Sequence, residues 1–271
     1  MTTTDKITTA LENADADGIA AALSPDVTFH TPILTEDLKG KDLVLSFLGQ
    51  AAKTIEDLTY FDKASDEKRT FLFWRGKVVE RDIEGITVVV LGDDGLVGDL
   101  TVLLRSWSIV SMFRDSMLIG LAGAVPEAAW RLRDDGAPTP DTSAGVGPAP
   151  HRPMAPDVRF HSPMLTKTIS GADNVTDIHK LIGGIQGPRE YHSRIELEDR
   201  AIEFWTCVID GHPQQGVDVW DFDADGKATD QKVWLRPWPV TTILRDRAMA
   251  GGLSILGPDV WLLPAHPIPL A

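Results

Sequence analysis

The segment PDVTFHTPIL, Pro25 to Leu34, occurs again as PDVRFHSPML, Pro156 to Leu165, a displacement of 131 positions. Carried along the chain without a gap, that displacement sets Gly40 on Gly171, Asp42 on Asp173, Phe73-Trp74 on Phe204-Trp205 and Asp94-Gly95 on Asp225-Gly226. It also sets Asp99 on Asp230, Leu104-Arg105 on Leu235-Arg236, Trp107 on Trp238 and Arg114-Asp115 on Arg245-Asp246. Roughly three positions in ten agree over about ninety residues, a gapless match too long for chance. The chain is a tandem duplication, so its fold is one that half of it adopts twice. With 271 residues, each copy is long enough to build its own core. The boundaries read as 1–125 for the first domain, 126–154 for a connecting helix and Pro/Gly-rich linker, and 155–271 for the second domain.

The first copy begins helical and ends extended. Ile7, Leu11, Ile19 and Leu23 predict two short amphipathic helices broken at Asp17-Gly18, and Leu43, Phe47 and Ala51 predict a third after Gly40. Leu58–Ala64, Arg69–Glu80, Ile83–Leu91 and Val97–Trp107 are rich in β-branched and aromatic residues and are parted by turns such as Gly92-Asp93-Asp94-Gly95. Helices followed by an antiparallel meander give an α+β layout: two cone-shaped domains, each a curved antiparallel sheet with helices over its concave face. The stretch 134–153, DDGAPTPDTSAGVGPAPHRP, stands where the second copy should have its opening helices. That copy therefore stays open, or is capped by residues 116–133, by the tail or by a partner. The apolar tail from Gly251 to Ala271 reads as a strap across a domain.

A net charge of −14 opposes binding to nucleic acid or an anionic membrane surface, because the field repels phosphate. One cysteine, Cys207, allows neither an internal disulfide nor a Cys-based zinc site, and fits a small buried apolar residue. No three His, Asp or Glu residues have metal-ligand spacing, and the Asp221–Asp230 segment lacks the closing glutamate of a calcium loop. Neither metal nor cofactor is expected. With no signal-peptide pattern and no long apolar run, the expected location is cytoplasmic.

The segment ALENADADGIAAALSPDVTFHTP, then Gly40, a helix with Phe47 and four strands with a GDDG-type turn, resembles the nuclear transport factor 2-like superfamily. Its ketosteroid isomerase and SnoaL-like polyketide cyclase branch is the nearer likeness, a cystatin-like α+β roll. The resemblance implies an apolar small-molecule pocket between sheet and helices. It covers residues 5–118 once and 155–249 again. Most of the isomerase residues do not carry over. The general-base aspartate falls on Thr31 and Ser162, and the first-helix tyrosine on Ile7. The third-helix tyrosine falls on Leu48 and His179, and the neutral aspartic acid on Thr87 and Asp218.

The first pocket thus holds no group that titrates near neutrality: Ile7, Thr31, Leu48 and Thr87, with Val89 and Leu91 beyond. The second holds Ser162, His179 and Asp218, with Trp220 and Phe222 beyond and Val233 and Leu235 on the last strand. A histidine and an aspartate inside an apolar cone form a candidate proton-transfer pair, the carboxylate fixing the imidazole tautomer, with Ser162 orienting a substrate. The plain alternative turns His179 to solvent and leaves Asp218 hydrogen-bonded in the sheet. Candidate ligand contacts are Trp220, Phe222, Val233, Leu235, Thr31, Thr87 and Val89. His30 and His161, on the other side of their strand from Thr31 and Ser162, read as structural.

Alternation on the last strand puts Asp99, Arg105 and Trp107, and their equivalents Asp230, Arg236 and Trp238, on the convex face. Members of the resembled family dimerise through that face. The two copies are therefore expected to pack as a dimer inside one chain, with ion pairs Asp99–Arg236 and Arg105–Asp230. Assembly into a homo-oligomer stays open. So do three functions: cofactor-free acid/base chemistry on a small hydrophobic molecule, a carrier or sensor of such a molecule, and a structural interaction module.

Overall fold

The computed structural model describes residues 2–132 and 152–261, so nearly all of the 134–153 stretch and the tail beyond Trp261 lie outside the described residues. The first repeat opens with α1 (Thr3–Glu12), capped by a reciprocal Thr2–Asp5 box, and α2 (Ala16–Ala22), capped by Asp15. Next come β1 (Leu23–His30), β2 (Leu38–Lys39) and α3 (Lys41–Thr54). The meander follows as β3 (Glu56–Ser65), β4 (Thr70–Val78), β5 (Arg81–Leu91) and β6 (Val97–Arg105). The chain then turns into α4 (Trp107–Gly120) and a 3₁₀ turn, Glu127–Trp130. The second repeat has β7 (Met154–His161), β8 (Ile169–Ser170), α5 (Ala172–Gln186), β9 (Glu190–Glu196), β10 (Arg200–Ile209), β11 (His212–Phe222) and β12 (Ala228–Arg236). It ends with α6 (Trp238–Leu256) and a 3₁₀ turn, Pro258–Val260. Among the described residues the second repeat has no counterpart of α1 and α2. None of the described helices is long and apolar enough to cross a membrane.

The architecture is α+β, and the two repeats share one topology. The strands run β3-β4-β5-β6-β12-β11-β10-β9, with β1 parallel to β6 and β7 parallel to β12. The halves join where β6 meets β12 antiparallel at Leu104–Leu235, residues that are each other's equivalents.

The two-residue period of the strands sorts the side chains into three cores. Leu72, Trp74, Val89, Leu100 and Leu104 pack under the helices of the first repeat. Trp205, Cys207, Val233 and Leu235 do the same in the second. The opposite faces, with Phe71, Phe73, Ile86, Val88 and Leu103 on one side and Ile202, Phe204, Val217, Val219 and Trp234 on the other, form a third buried cluster between the repeats.

Contacts between the halves follow the 131-residue displacement in both directions. Trp107 N donates to Pro163 O (2.6 Å) and Trp238 N to Pro32 O (2.8 Å). The indole of Trp107 donates to Thr242 Oγ1 (2.9 Å) and that of Trp238 to Ser111 Oγ (2.8 Å), and the two rings stack 5.9 Å apart. Arg245 lies over Trp107 at 4.2 Å and Arg114 over Trp238 at 4.8 Å.

Several expectations need correction. Trp107 and Trp238 are not strand residues; each is the first residue of a helix. The ion pairs Asp99–Arg236 and Arg105–Asp230 do not form. Asp99 binds His30 (2.8 Å), and Asp230 binds Arg159 (2.8 Å) and His161 (3.1 Å). Arg105 binds Glu84 (3.2 Å), while Arg236 donates to Thr31 O (2.8 Å) and Gln215 Oε1 (2.6 Å). The reason is geometric: β6 and β12 meet at a single register, so the carboxylates are reached first by the neighbouring strands of their own repeats, β1 and β7. Residues 121–130 do not cap the second repeat. Leu121, Val125, Ala129 and Trp130 belong to the first core, which runs past the expected boundary at 125, and Thr35 N binds Ala129 O (2.9 Å). Trp261 is buried in the core of the second repeat, its carbonyl held by Arg245 Nη2 (2.7 Å), and the tail beyond it lies outside the described residues.

Candidate ligand-binding site

In the first repeat the space between sheet and helices is about 50 Å³, walled by Phe29, Phe47, Leu48, Tyr60, Trp74 and Thr87 among others. The second repeat has a cavity of about 670 Å³ in the same place. Alternation on β10 and β11 aims Ala201 and Glu203, and Asp218, Trp220 and Phe222, at that cavity, while Ile202, Phe204, Val217 and Val219 face the other repeat. Strand β12 contributes Gln231, Val233 and Leu235, and α5 contributes His179, Ile182, Gly183 and Gln186.

His179 faces inward, settling the helical register against solvent exposure. Its ring meets Phe160 and Trp220 edge-on at 5.1 and 6.0 Å, and Nε2 bonds to Gln231 Oε1 at 2.7 Å. Asp218 is fully buried, but its partner is Arg189 (2.8 Å) rather than His179. The two share a cavity without a hydrogen bond between them, so the carboxylate does not orient the imidazole. Ser162 lines the cavity and accepts from Met164 N (3.2 Å). Of the other candidates, Trp220, Phe222, Val233 and Leu235 all line the second cavity. Thr87 lines the first and accepts from Trp74 Nε1 (3.0 Å). Thr31 accepts from Leu34 N (2.9 Å) in a buried turn, and Val89 lies within the first core.

Arg189 organises the polar end of the second cavity. Its guanidinium donates to Asp218 Oδ2 and to Gln186 Oε1 (2.7 Å), and it stacks on the Trp205 ring at 3.9 Å. Gln186 passes the chain of bonds to Gln214 (2.9 Å). Burial is the largest influence and works against the Arg189 charge, but the Asp218 carboxylate together with Tyr191 and Cys207 outweighs it and raises the guanidinium pKa. Burial raises the Tyr191 phenol, and the carboxylates of Asp218 and Glu203 add to the rise against the pull of Arg189. Burial also pushes the Cys207 thiol up to about 12, which keeps it protonated and inert.

Sequence reasoning missed Arg189, Gln186, Tyr191, Glu203 and Gln231 as site residues. The signal was present. At the 131-residue displacement Leu48, Ile55, Leu58, Leu72, Thr87 and Leu100 become His179, Gln186, Arg189, Glu203, Asp218 and Gln231. Five apolar side chains and a threonine are replaced by six polar or charged ones, all of which line the cavity.

No family model matches the chain, and no curated protein matches it. Solved structures do. A cystatin-like protein from Silicibacter pomeroyi is 26% identical, with a TM-score of 0.43 over 45% of this chain and 86% of its own. A steroid delta-isomerase from Pseudomonas aeruginosa is 25% identical, with a TM-score of 0.42 over 44% of this chain and 89% of its own. A SnoaL-like protein of unknown function from Burkholderia thailandensis is 14% identical, with a TM-score of 0.33 over 38% of this chain and 90% of its own. The chain is similar to cystatin-like and nuclear transport factor 2-like folds.

Proposed function

We propose that this protein binds a small, largely hydrophobic organic molecule in the cavity of its second repeat. The observation that carries the reading is the contrast at one place in a duplicated fold: about 50 Å³ in one copy and about 670 Å³ in the other. The larger value is within the range of ligand pockets, roughly 300–1,000 Å³. Its walls fit the role, with Phe160, Trp220 and Phe222 as apolar surface and a few convergent polar groups at one end. Acid/base catalysis by His179 and Asp218 would require them to act on one substrate from separate anchorages, Gln231 and Arg189. Binding requires only the cavity. In this reading the two repeats stand to each other as the subunits of a dimer, supported by the reciprocal tryptophan contacts. The first repeat serves as the filled, rigid partner.

Gly183 supplies the test, because a Cβ added there meets nothing within 4 Å and the residue lines the cavity from the last turn of α5. Gly183→Trp is expected to fold with an unchanged or higher melting temperature. It should also abolish the saturable fluorescence gain of the neutral dye N-phenyl-1-naphthylamine seen with the native protein. Native protein that gives no saturable gain, or a Gly183→Trp variant that keeps it, would sink the reading.

A further inference from the structure

We infer that the polar end of the second cavity accepts a hydroxyl or amino group of its ligand, donated to Asp218 Oδ1, and discriminates against carboxylates. This rests on the reading of the cavity as a ligand site and adds the chemistry of what enters it. Asp218 is 2% exposed and lines the cavity. Its Oδ2 accepts from Arg189, whereas its Oδ1 is buried without a hydrogen-bond partner. A buried carboxylate oxygen lacking a donor is costly, and a ligand that brings one recovers that cost.

The cation at this end of the cavity is already committed; Arg152, which also lines the cavity, lies over Phe222. Arg189 donates through Nη1 to Asp218 and through Nε and Nη2 to Gln186, and its face lies on Trp205. Glu203, directly across the ladder from Asp218, lines the cavity too and brings a second carboxylate, 3.5 Å from Arg194. A carboxylate entering this end would face two others. The first repeat gives the contrast: there Thr87 takes the indole N–H of Trp74. In the second repeat the equivalent indole, Trp205 Nε1, makes no such bond to Asp218 and is itself buried without a partner.

The test is calorimetric titration of the full chain near neutral pH with three probes of one shape: 2-naphthol, 2-methoxynaphthalene and 2-naphthoate. The native protein is expected to bind 2-naphthol roughly ten- to a hundredfold more tightly than either of the others. Asp218→Leu combined with Arg189→Met removes the charge pair together, and the preference for 2-naphthol should collapse toward equality. Should that variant not fold, the near-isosteric Asp218→Asn is read instead; it releases Arg189, so affinity for 2-naphthoate should rise. Equal binding of all three probes to the native protein overturns this inference and leaves the cavity as a ligand site. Binding of none overturns both. A preference that survives the substitutions, or a ligand-free crystal structure with Trp205 Nε1 donating to Asp218 Oδ1, also overturns it.

Discussion

At the level of single residues, the repeated F-H-(T/S)-P motif turns out to be electrostatic mortar. His30 bonds through Nδ1 to Asp37 (2.7 Å) and through Nε2 to Asp99 (2.8 Å). Burial, the largest influence, pulls its pKa down, but these two carboxylates push it up to about 9, with Arg236 opposing them. The folded value lies above the unfolded one of about 6.5, so the stabilisation is complete below that pH and is lost as pH rises through about 9. Urea midpoints should therefore fall between these limits, by an amount on the order of 1–3 kcal/mol, and His30→Gln should flatten the slope. A His30→Gln protein with the native pH profile would count against the assignment. The structural role of His30 was legible from strand alternation alone. Its partners were not, because Asp37 sits in a loop whose path no periodicity describes.

At the level of elements, a glycine on one strand faces a tryptophan on the next in both repeats. A Cβ on Gly85 would come within 2.2 Å of the Trp74 ring, and one on Gly216 within 2.2 Å of the Trp205 ring. The indoles lie flat over the ladder only because those positions carry no side chain. Gly85→Ala and Gly216→Ala should each destabilise by about 1–3 kcal/mol in chemical denaturation. The cavities make a second paired prediction. Ala52, the first-repeat equivalent of Gly183, lines the small cavity, so Ala52→Trp should lower stability by about 1–3 kcal/mol where Gly183→Trp does not. Both pairs can be found by laying one copy on the other. Helices α4 and α6 were harder to read, because each opens on a tryptophan that alternation continues naturally from the preceding strand. Only the later spacing of Ile109, Val110, Phe113 and Met117 betrays a helical face.

At the level of the whole molecule, the third core ties the repeats into one unit. Phe73 meets Trp234 edge-on at 6.2 Å and Phe71 meets Phe204 at 6.4 Å, each pair spanning the two copies. Unfolding followed by tryptophan fluorescence and by far-ultraviolet circular dichroism should give coincident single transitions. Trp234→Ala should lower stability by about 3–5 kcal/mol while keeping the two probes together. Two separated transitions in the native protein would mean that the shared cluster does not couple the halves. The duplication and the α+β class were plain in the sequence, since a gapless repeat and a change of period survive without coordinates. The partners of the convex-face charges were not, because they depend on the angle at which two strands cross.

The back-to-back tryptophan pair has a consequence for how such a chain can change over time. When identical subunits associate, every mutation appears on both sides of the axis, so a hollow cannot be widened in one without being widened in the other. Once two copies are joined in a single polypeptide, that constraint is lifted. One side is then free to fill with leucine and valine and act as ballast, while the other trades packing for charge and room.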